Sequence, residues 1–406
     1  MSKRIHLKAS IPGNHEPISK NDWNSAYMGI SWWDADKMKS ARVMVVGAGA
    51  LGNEVLKNLA LLNVGNIFIV DFDTIEYSNL SRSILYRESD CGRPKAIVAS
   101  EQIRSINPGV KVQYVEGDIG YDVGLGVFRR MDVVVGCLDN RLARLHINRK
   151  CYKTGKSWVD GGIENLAGQM DVFTPTVSCY ECLLDKKSWE SIQMRAGCAD
   201  VARRNSNFGR IPTTPVAASL IGALQTQEAL KIVYQNYAQS AARQRFVFDG
   251  MSNYYMQYNI LPLNPHCLSH ITYEEIIEAD ELSSDLPLGE VLDLLEKRFS
   301  TPDIRINLDY QIVFALGGVN QKESVPVIIP NFRLTDQLIN EITNLPGEVV
   351  MIPDGMTCEV LDIRFPDLSL SLNDLGIPPL EILFVEAAGE IFFVELSGDE
   401  HFINFE

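Results

Sequence analysis

The sequence predicts an α/β chain built on a doubly wound, mostly parallel sheet, followed by a smaller α+β domain. Three observations carry this. Apolar, strand-like runs alternate with helical stretches through residues 41–175. Such alternation implies parallel strands joined by crossover helices. A glycine loop, Gly47-Ala48-Gly49-Ala50-Leu51-Gly52, stands between the first apolar run and the first long helix. After Asn264-Pro265 the composition shifts, which places a boundary near His270–Asp280.

Taken in order, residues 1–40 are polar and mixed, with Trp23, Trp32 and Trp33 close together. They read as an irregular arm entering a helix near Asp34–Lys39. The expected strands are Arg42–Val46, Ile67–Asp71, Lys111–Val115, Asp132–Cys137 and Ser157–Gly161. The expected helices between them are Ala50–Leu62, Lys95–Asn107 and Arg141–Thr154. Residues 178–212 read as irregular, and Pro215–Tyr234 as a long apolar helix. The first domain is drawn at 41–271, with 178–215 as a crossover segment. The second, at 280–406, holds helical patterns at Leu288–Phe299 and Leu334–Leu345. Its β-like runs are Ile304–Leu308, Ile382–Glu386 and Glu390–Leu396.

Composition narrows the function classes. The 406 residues are 46% apolar and 22% charged, ordinary for a soluble protein. A net charge of −15 argues against a general nucleic-acid or anionic-membrane binder. No apolar run reaches the ~20 residues needed to span a bilayer, and Met1–His6 lacks the apolar core of a signal peptide. Eight cysteines in this length are not disulfide density. The expected location is the cytoplasm.

The glycine loop lets the backbone approach phosphate oxygens, and the helix start after it favours their charge. Asp71, ending the second apolar run, fits the acidic position that binds ribose hydroxyls. On its own this Rossmann-like pattern suits a dinucleotide oxidoreductase equally well. Further residues change the chemistry. Arg82 and Lys95 can hold the charge on a triphosphate as it breaks. Asn79 can position a phosphate oxygen, and Asp139 can hold magnesium. The plainer reading makes Arg82 and Lys95 surface charges and Asp139 a turn residue. For any one residue alone it is at least as good.

Together these residues resemble the adenylating domain of ubiquitin-activating (E1-like) enzymes, a family that includes the activators of sulfur carriers. The resemblance rests on Gly47, Gly49 and Gly52, Asp71-Phe72-Asp73, Asn79-Leu80-Ser81-Arg82, Lys95 and Cys137-Leu138-Asp139-Asn140. It runs from about residue 40 to 235 and includes Ile211-Pro212-Thr213-Thr214. It implies that ATP and magnesium activate the C-terminal glycine carboxylate of a protein, giving a protein-adenylate and pyrophosphate. By position, Asp71 would bind the ribose, Asn79, Arg82 and Lys95 would serve the phosphates and Asp139 would bind magnesium, with Asp73 and Asn140 also counted among the cofactor-binding residues. The family's arginine before the first strand has no counterpart, because residues 5 to 41 contain none. Arg4, Lys20 or a second subunit is left to replace it, and the usual argument for a homodimer weakens.

Cys179-Tyr180-Glu181-Cys182 and Cys267-Leu268-Ser269-His270 read as two halves of a structural zinc site. The family has two Cys-x-x-Cys pairs here, so His270 would stand for the last cysteine, with His266 as rival. A redox pair or buried thiols are the plainer alternative. Cys198, in Ala196-Gly197-Cys198-Ala199-Asp200, falls where the family captures the activated protein as a thioester. Arg195, Arg203 and Arg204 would help ionise it. A free, incidental cysteine is the bland reading.

Leu286–Leu295 and Leu368–Val385 resemble parts of the ubiquitin-fold domain that recruits a conjugating (E2) enzyme. An unrelated α+β appendage is the alternative. The expectation is therefore an activating enzyme for a ubiquitin-like protein, with ATP, Mg2+ and Zn2+ as cofactors. Its partners would be that protein, an E2 and, in the homodimeric case, a second copy, with no nucleic acid and no membrane. A sulfur-carrier adenylyltransferase and a non-catalytic nucleotide-binding scaffold are the competing readings.

Overall fold

A computed structural model describes residues 23–27, 29–196, 212–260, 262–318, 324–343 and 350–405. A 3₁₀ turn, Trp23–Ala26, precedes α1 (Ala35–Ser40). The parallel part follows as β1 (Arg42–Val46), α2 (Ala50–Leu61), β2 (Asn66–Val70), α3 (Lys95–Ile106), β3 (Lys111–Val115), α4 (Leu125–Arg129), β4 (Val133–Gly136), α5 (Arg141–Lys153) and β5 (Trp158–Glu164). Next come β6 (Ala167–Phe173), α6 (Lys186–Ala196), α7 (Pro215–Val233), β7 (Gln244–Asp249) and β8 (Tyr254–Asn259).

These strands form one sheet in the order β3-β2-β1-β4-β5-β6-β7-β8. The first five are parallel, and β6, β7 and β8 extend the sheet antiparallel. The order reverses between β1 and β4, the switch point at which doubly wound sheets open a crevice for ligands. The central strands β1, β2 and β4 are apolar on both faces because both faces are covered there. Val43 and Val45 of β1 enter a core beneath α2, α3 and α7. Met44 and Val46 enter a second core on the opposite face, with Phe68, Phe128, Ile147 and Trp158. Each such fully buried side chain contributes roughly 1.5–3 kcal/mol.

The second sheet contains β9 (Ile277–Ala279), then, after α8 (Leu288–Phe299), β10 (Ile304–Gly318) and β11 (Ser324–Pro330). After α9 (Asp336–Thr343) come β12 (Val350–Met351), β13 (Thr357–Leu361), β14 (Ile382–Ala387) and β15 (Glu390–Leu396). Its order is β11-β10-β14-β15-β9, with β12 and β13 also pairing β10. Leu288, Val291, Leu292 and Leu295 of α8 pack into its core.

The two halves are joined by more than the chain. Leu380 lies in the lower core of the first sheet, and Phe402, Ile403 and Phe405 pack against that core. The Gly126 N–H donates to the Leu380 carbonyl at 2.8 Å. A Cβ on Gly126 would stand 2.6 Å from that oxygen, so only glycine fits there. The fully buried Glu395 carboxylate is shared by Arg129 at 2.7 Å and Arg130 at 2.6 Å.

Two expectations need correction. Residues 178–212 are not irregular throughout, since α6 runs through Lys186–Ala196. Asp185 starts it by accepting from the Ser188 N–H at 2.8 Å, and the buried Ile192 is among its anchors. The strand expected at Ile304–Leu308 continues to Gly318, past a register shift between Asn307 and Ile312. The polar residues in that shift interrupt the apolar pattern. Among the described residues, no helix is long and apolar enough to cross a membrane.

Candidate functional site

The glycine loop leaves β1 at the switch point. Gly47 has φ +93°, a conformation L side chains rarely adopt, and a Cβ there would lie 2.4 Å from the Cys137 carbonyl. The loop after β1 therefore touches the loop after β4, the segment that carries Asp139. A Cβ on Gly52 would fall 1.9 Å from the Gly47 carbonyl. Gly49 caps the N-terminus of α2 and faces open space, with nothing within 4 Å of its would-be Cβ. That is the geometry of an anion cradle at a helix start.

Asp71 closes the side of this cradle. Its carboxylate accepts from the Ala48 N–H at 2.6 Å and the Asp73 N–H at 2.8 Å. Burial pushes its carboxyl above the ordinary range, against the pull of Lys95 and both amides. The Lys95 ammonium, at the first turn of α3, reaches Asp73 at 2.7 Å and is buried. Asn79 spends its side-chain oxygen on the Glu76 N–H at 2.9 Å, holding a 3₁₀ turn. Arg82 donates to the Ser78 carbonyl at 2.9 Å and has no ion-pair partner among the described residues. Asp139 is exposed, also without an ion pair among them. Asn140 caps α5 by accepting from the Ala143 N–H at 2.7 Å.

Sequence reasoning missed the residues that bind these pieces together. Asn53, wholly buried in α2, donates to the Ala48 carbonyl and accepts from the Leu85 N–H at 2.8 Å. The Tyr86 hydroxyl donates to the Ala48 carbonyl at 2.6 Å. Through these two residues Leu85 and Tyr86, just after Arg82, are tied to the glycine loop. Gln225 of α7 donates to the Gly136 carbonyl at 2.8 Å. Arg144 and Asp160 pair at 2.9 Å behind the Asp139 loop. Burial raises the Asp160 carboxyl to about 6, although Arg144 opposes it. A polar residue inside an apolar helical pattern, as at Asn53 and Gln225, was the available signal.

The second cluster is Cys179, Cys182, Cys267 and His270, whose ligand atoms all lie within 4.8 Å of one another. Cys179 Sγ is 3.7 Å from Cys182 Sγ and 3.6 Å from Cys267 Sγ, and Cys182 Sγ is 3.3 Å from His270 Nε2. A tetrahedral zinc with Zn–S of about 2.3 Å places sulfurs about 3.8 Å apart, so the spacing and the soft donor set fit that ion. His266 is not in the group. Residues of α5 support it. Asn148 accepts from the Tyr180 N–H and donates to Ser269, and the Tyr152 ring stacks on His270 at 4.6 Å. Cys198, with Arg203 and Arg204, lies outside the described residues.

Comparison with known proteins adds the following. The model of the ThiF family matches residues 25–269. A sulfur carrier protein adenylyltransferase of Thermus thermophilus is 31% identical over 251 residues, 60% of this chain and 88% of that protein. A SAMP-activating enzyme E1 of Haloferax volcanii is 32% identical over 233 residues, 57% of this chain and 80% of that one. A SUMO-activating enzyme subunit 2 of Dictyostelium discoideum is 38% identical over 149 residues, but these are 36% of this chain and 22% of that protein. The crystal structure of E. coli MccB with ATP shares the fold at a TM-score of 0.51 and 22% identity, over 64% of this chain and 77% of that one.

Proposed function

The chain belongs to the ThiF family, and from that premise we propose that it uses ATP to adenylate the C-terminal glycine carboxylate of a ubiquitin-like or sulfur-carrier protein. One observation carries the reading. At the switch point the glycine cradle is closed by Asp71 and touches the loop that carries Asp139, with the buried Lys95 paired to Asp73 beside it. A carboxylate oxygen of the carrier attacks the α-phosphorus. The bond between the α-phosphorus and the bridging oxygen breaks, and pyrophosphate leaves with the electron pair. Asp71 holds the ribose, and Arg82, Lys95 and Asn79 hold the phosphate oxygens whose charge grows as pyrophosphate departs. For Lys95 this means exchanging Asp73 for phosphate. Asp139, exposed and without an ion pair among the described residues, suits magnesium, a hard cation that prefers one or two carboxylates plus phosphate. When bound, that ion supplies charge neutralisation.

The step after adenylation divides two readings. In the first, Cys198 captures the acyl group as a thioester and passes it to an E2 docked on residues 280–406. In the second, which the relatives named as adenylyltransferases favour, the adenylate is released to a sulfur donor. Pyrophosphate exchange with a glycine-ended carrier tests the shared step. Asp139→Ala should lower exchange at least a hundredfold, and Cys198→Ala should leave it within a few-fold. Exchange lost in both, with both folded, would contradict this division. Intact mass without reductant separates the readings. A gain equal to the carrier minus water, absent in Cys198→Ala, supports the thioester, and adenylate release without it supports the second reading.

The Cys₃His group would hold zinc and fasten residues 179–182 to 267–270, contributing on the order of 10 kcal/mol to folding. Metal analysis of the purified chain should find one zinc per molecule, and Cys267→Ser should lose most of it. A metal-free wild-type chain, folded and monodisperse, would sink this assignment.

A further inference from the structure

Among the described residues the Asp139 carboxylate has no hydrogen-bond or ion-pair partner, so the backbone around it sets where it can reach. The residues on either side are held. Asn140 is fixed as the N-cap of α5. Leu138 is fixed by Arg144, one turn into the same helix, which donates to the Leu138 carbonyl at 2.6 Å. The same guanidinium donates to the Gly161 carbonyl at 3.0 Å and, through Nε, to Asp160 at 2.9 Å. Arg144 thus ties the turn after β4 to β5. Its side chain is only 12% exposed and that of Asp160 only 2%.

We propose that Arg144 is a positioning residue, held by Asp160, that fixes the Asp139 loop so that its carboxylate can receive the magnesium of bound Mg-ATP. The inference rests on the reading of Asp139 given above. Three acceptors lie around one side chain, two of them backbone carbonyls and one a carboxylate. Only the planar five-donor fork of arginine satisfies them together, whereas a lysine ammonium offers one nitrogen. A buried ion pair is weak evidence for a stabilising role. A purely architectural pair would also have no need to grip the carbonyl next to Asp139.

The test is calorimetric titration of the full chain with ATP, with and without magnesium, needing no carrier protein. Wild type should bind ATP more tightly with magnesium, and Asp139→Ala should lose that gain. Arg144→Lys should shrink the gain at least tenfold while keeping its magnesium-free affinity. Asp160→Asn, which keeps the shape and an acceptor for Nε but removes the charge that holds the guanidinium, should move the same way by less, and it serves if Arg144→Lys does not fold. A wild-type magnesium gain in Arg144→Lys overturns the proposal. So does an equal loss of affinity with and without magnesium, which would mark a general collapse of the site. Wild-type ATP binding indifferent to magnesium would instead fail the Asp139 reading, and this proposal with it. No ATP binding at all would fail the adenylation reading.

Discussion

His146 sits on α5 with its Nε2 buried and unpaired among the described residues. The Tyr121 ring meets it edge-on at 5.1 Å. Burial first, then the positive charges of Lys150, Arg149 and Lys153, lower its pKa from 6.5 to about 4, while Asp309 pulls the other way. The neutral ring is therefore the native form. As pH falls from 6.5 toward 4 the unfolded chain takes the proton first, and stability is lost through that window. Above it the contribution is complete. Between pH 7 and pH 5 the loss from this one group is on the order of 2 kcal/mol. Urea unfolding at both pH values should show that loss in wild type and a smaller one in His146→Gln; equal losses would refute the assignment. Nothing in the sequence marked this histidine, because its environment is assembled from residues far along the chain. Asn53 did carry a signal, a polar residue inside an apolar helical pattern, whereas the partner of Tyr86, the Ala48 carbonyl, leaves no trace in side-chain pattern.

Elements were legible where the apolar pattern is strong. β1 runs as expected at Arg42–Val46 on an unbroken apolar run, and α8 at Leu288–Phe299 on a periodic apolar face. β3 also runs as expected at Lys111–Val115, although it lies at the sheet edge with Lys111 and Tyr114 exposed. The antiparallel extension was not legible. Every residue of β8 is exposed, so no alternation marks it, and β7 is half-buried throughout. Its register comes from pairing with β6, a tertiary fact. The glycine loop could be read because its spacing answers to backbone geometry at Gly47 and Gly52. The two halves of the Cys₃His group could be read because each is a tight local turn, with Cys182 N–H bonding Cys179 and His270 N–H bonding Cys267. The role of α5 could not be read. One ridge of it, Arg144, Asn148 and Tyr152, reaches the Asp139 loop at one end and the Cys₃His group at the other.

For the whole molecule, two sheets do not mean two independent bodies. The core under β1 and β2 is finished by Leu380, which precedes β14, and by Phe402, Ile403 and Phe405, which follow β15. Separating the halves would expose Phe68 and strand the Glu395 carboxylate without Arg129 and Arg130. Scanning calorimetry should therefore give one endotherm whose calorimetric and van't Hoff enthalpies agree. Two resolved endotherms would show that the shared core does not couple the halves. The residues after β15 carry a consequence for heredity as well as heat. A stop codon directly after Leu396 would leave every strand of both sheets intact, yet it would take away Phe402, Ile403 and Phe405 and open the underside of the first, so the lesion would register as damage beneath β2.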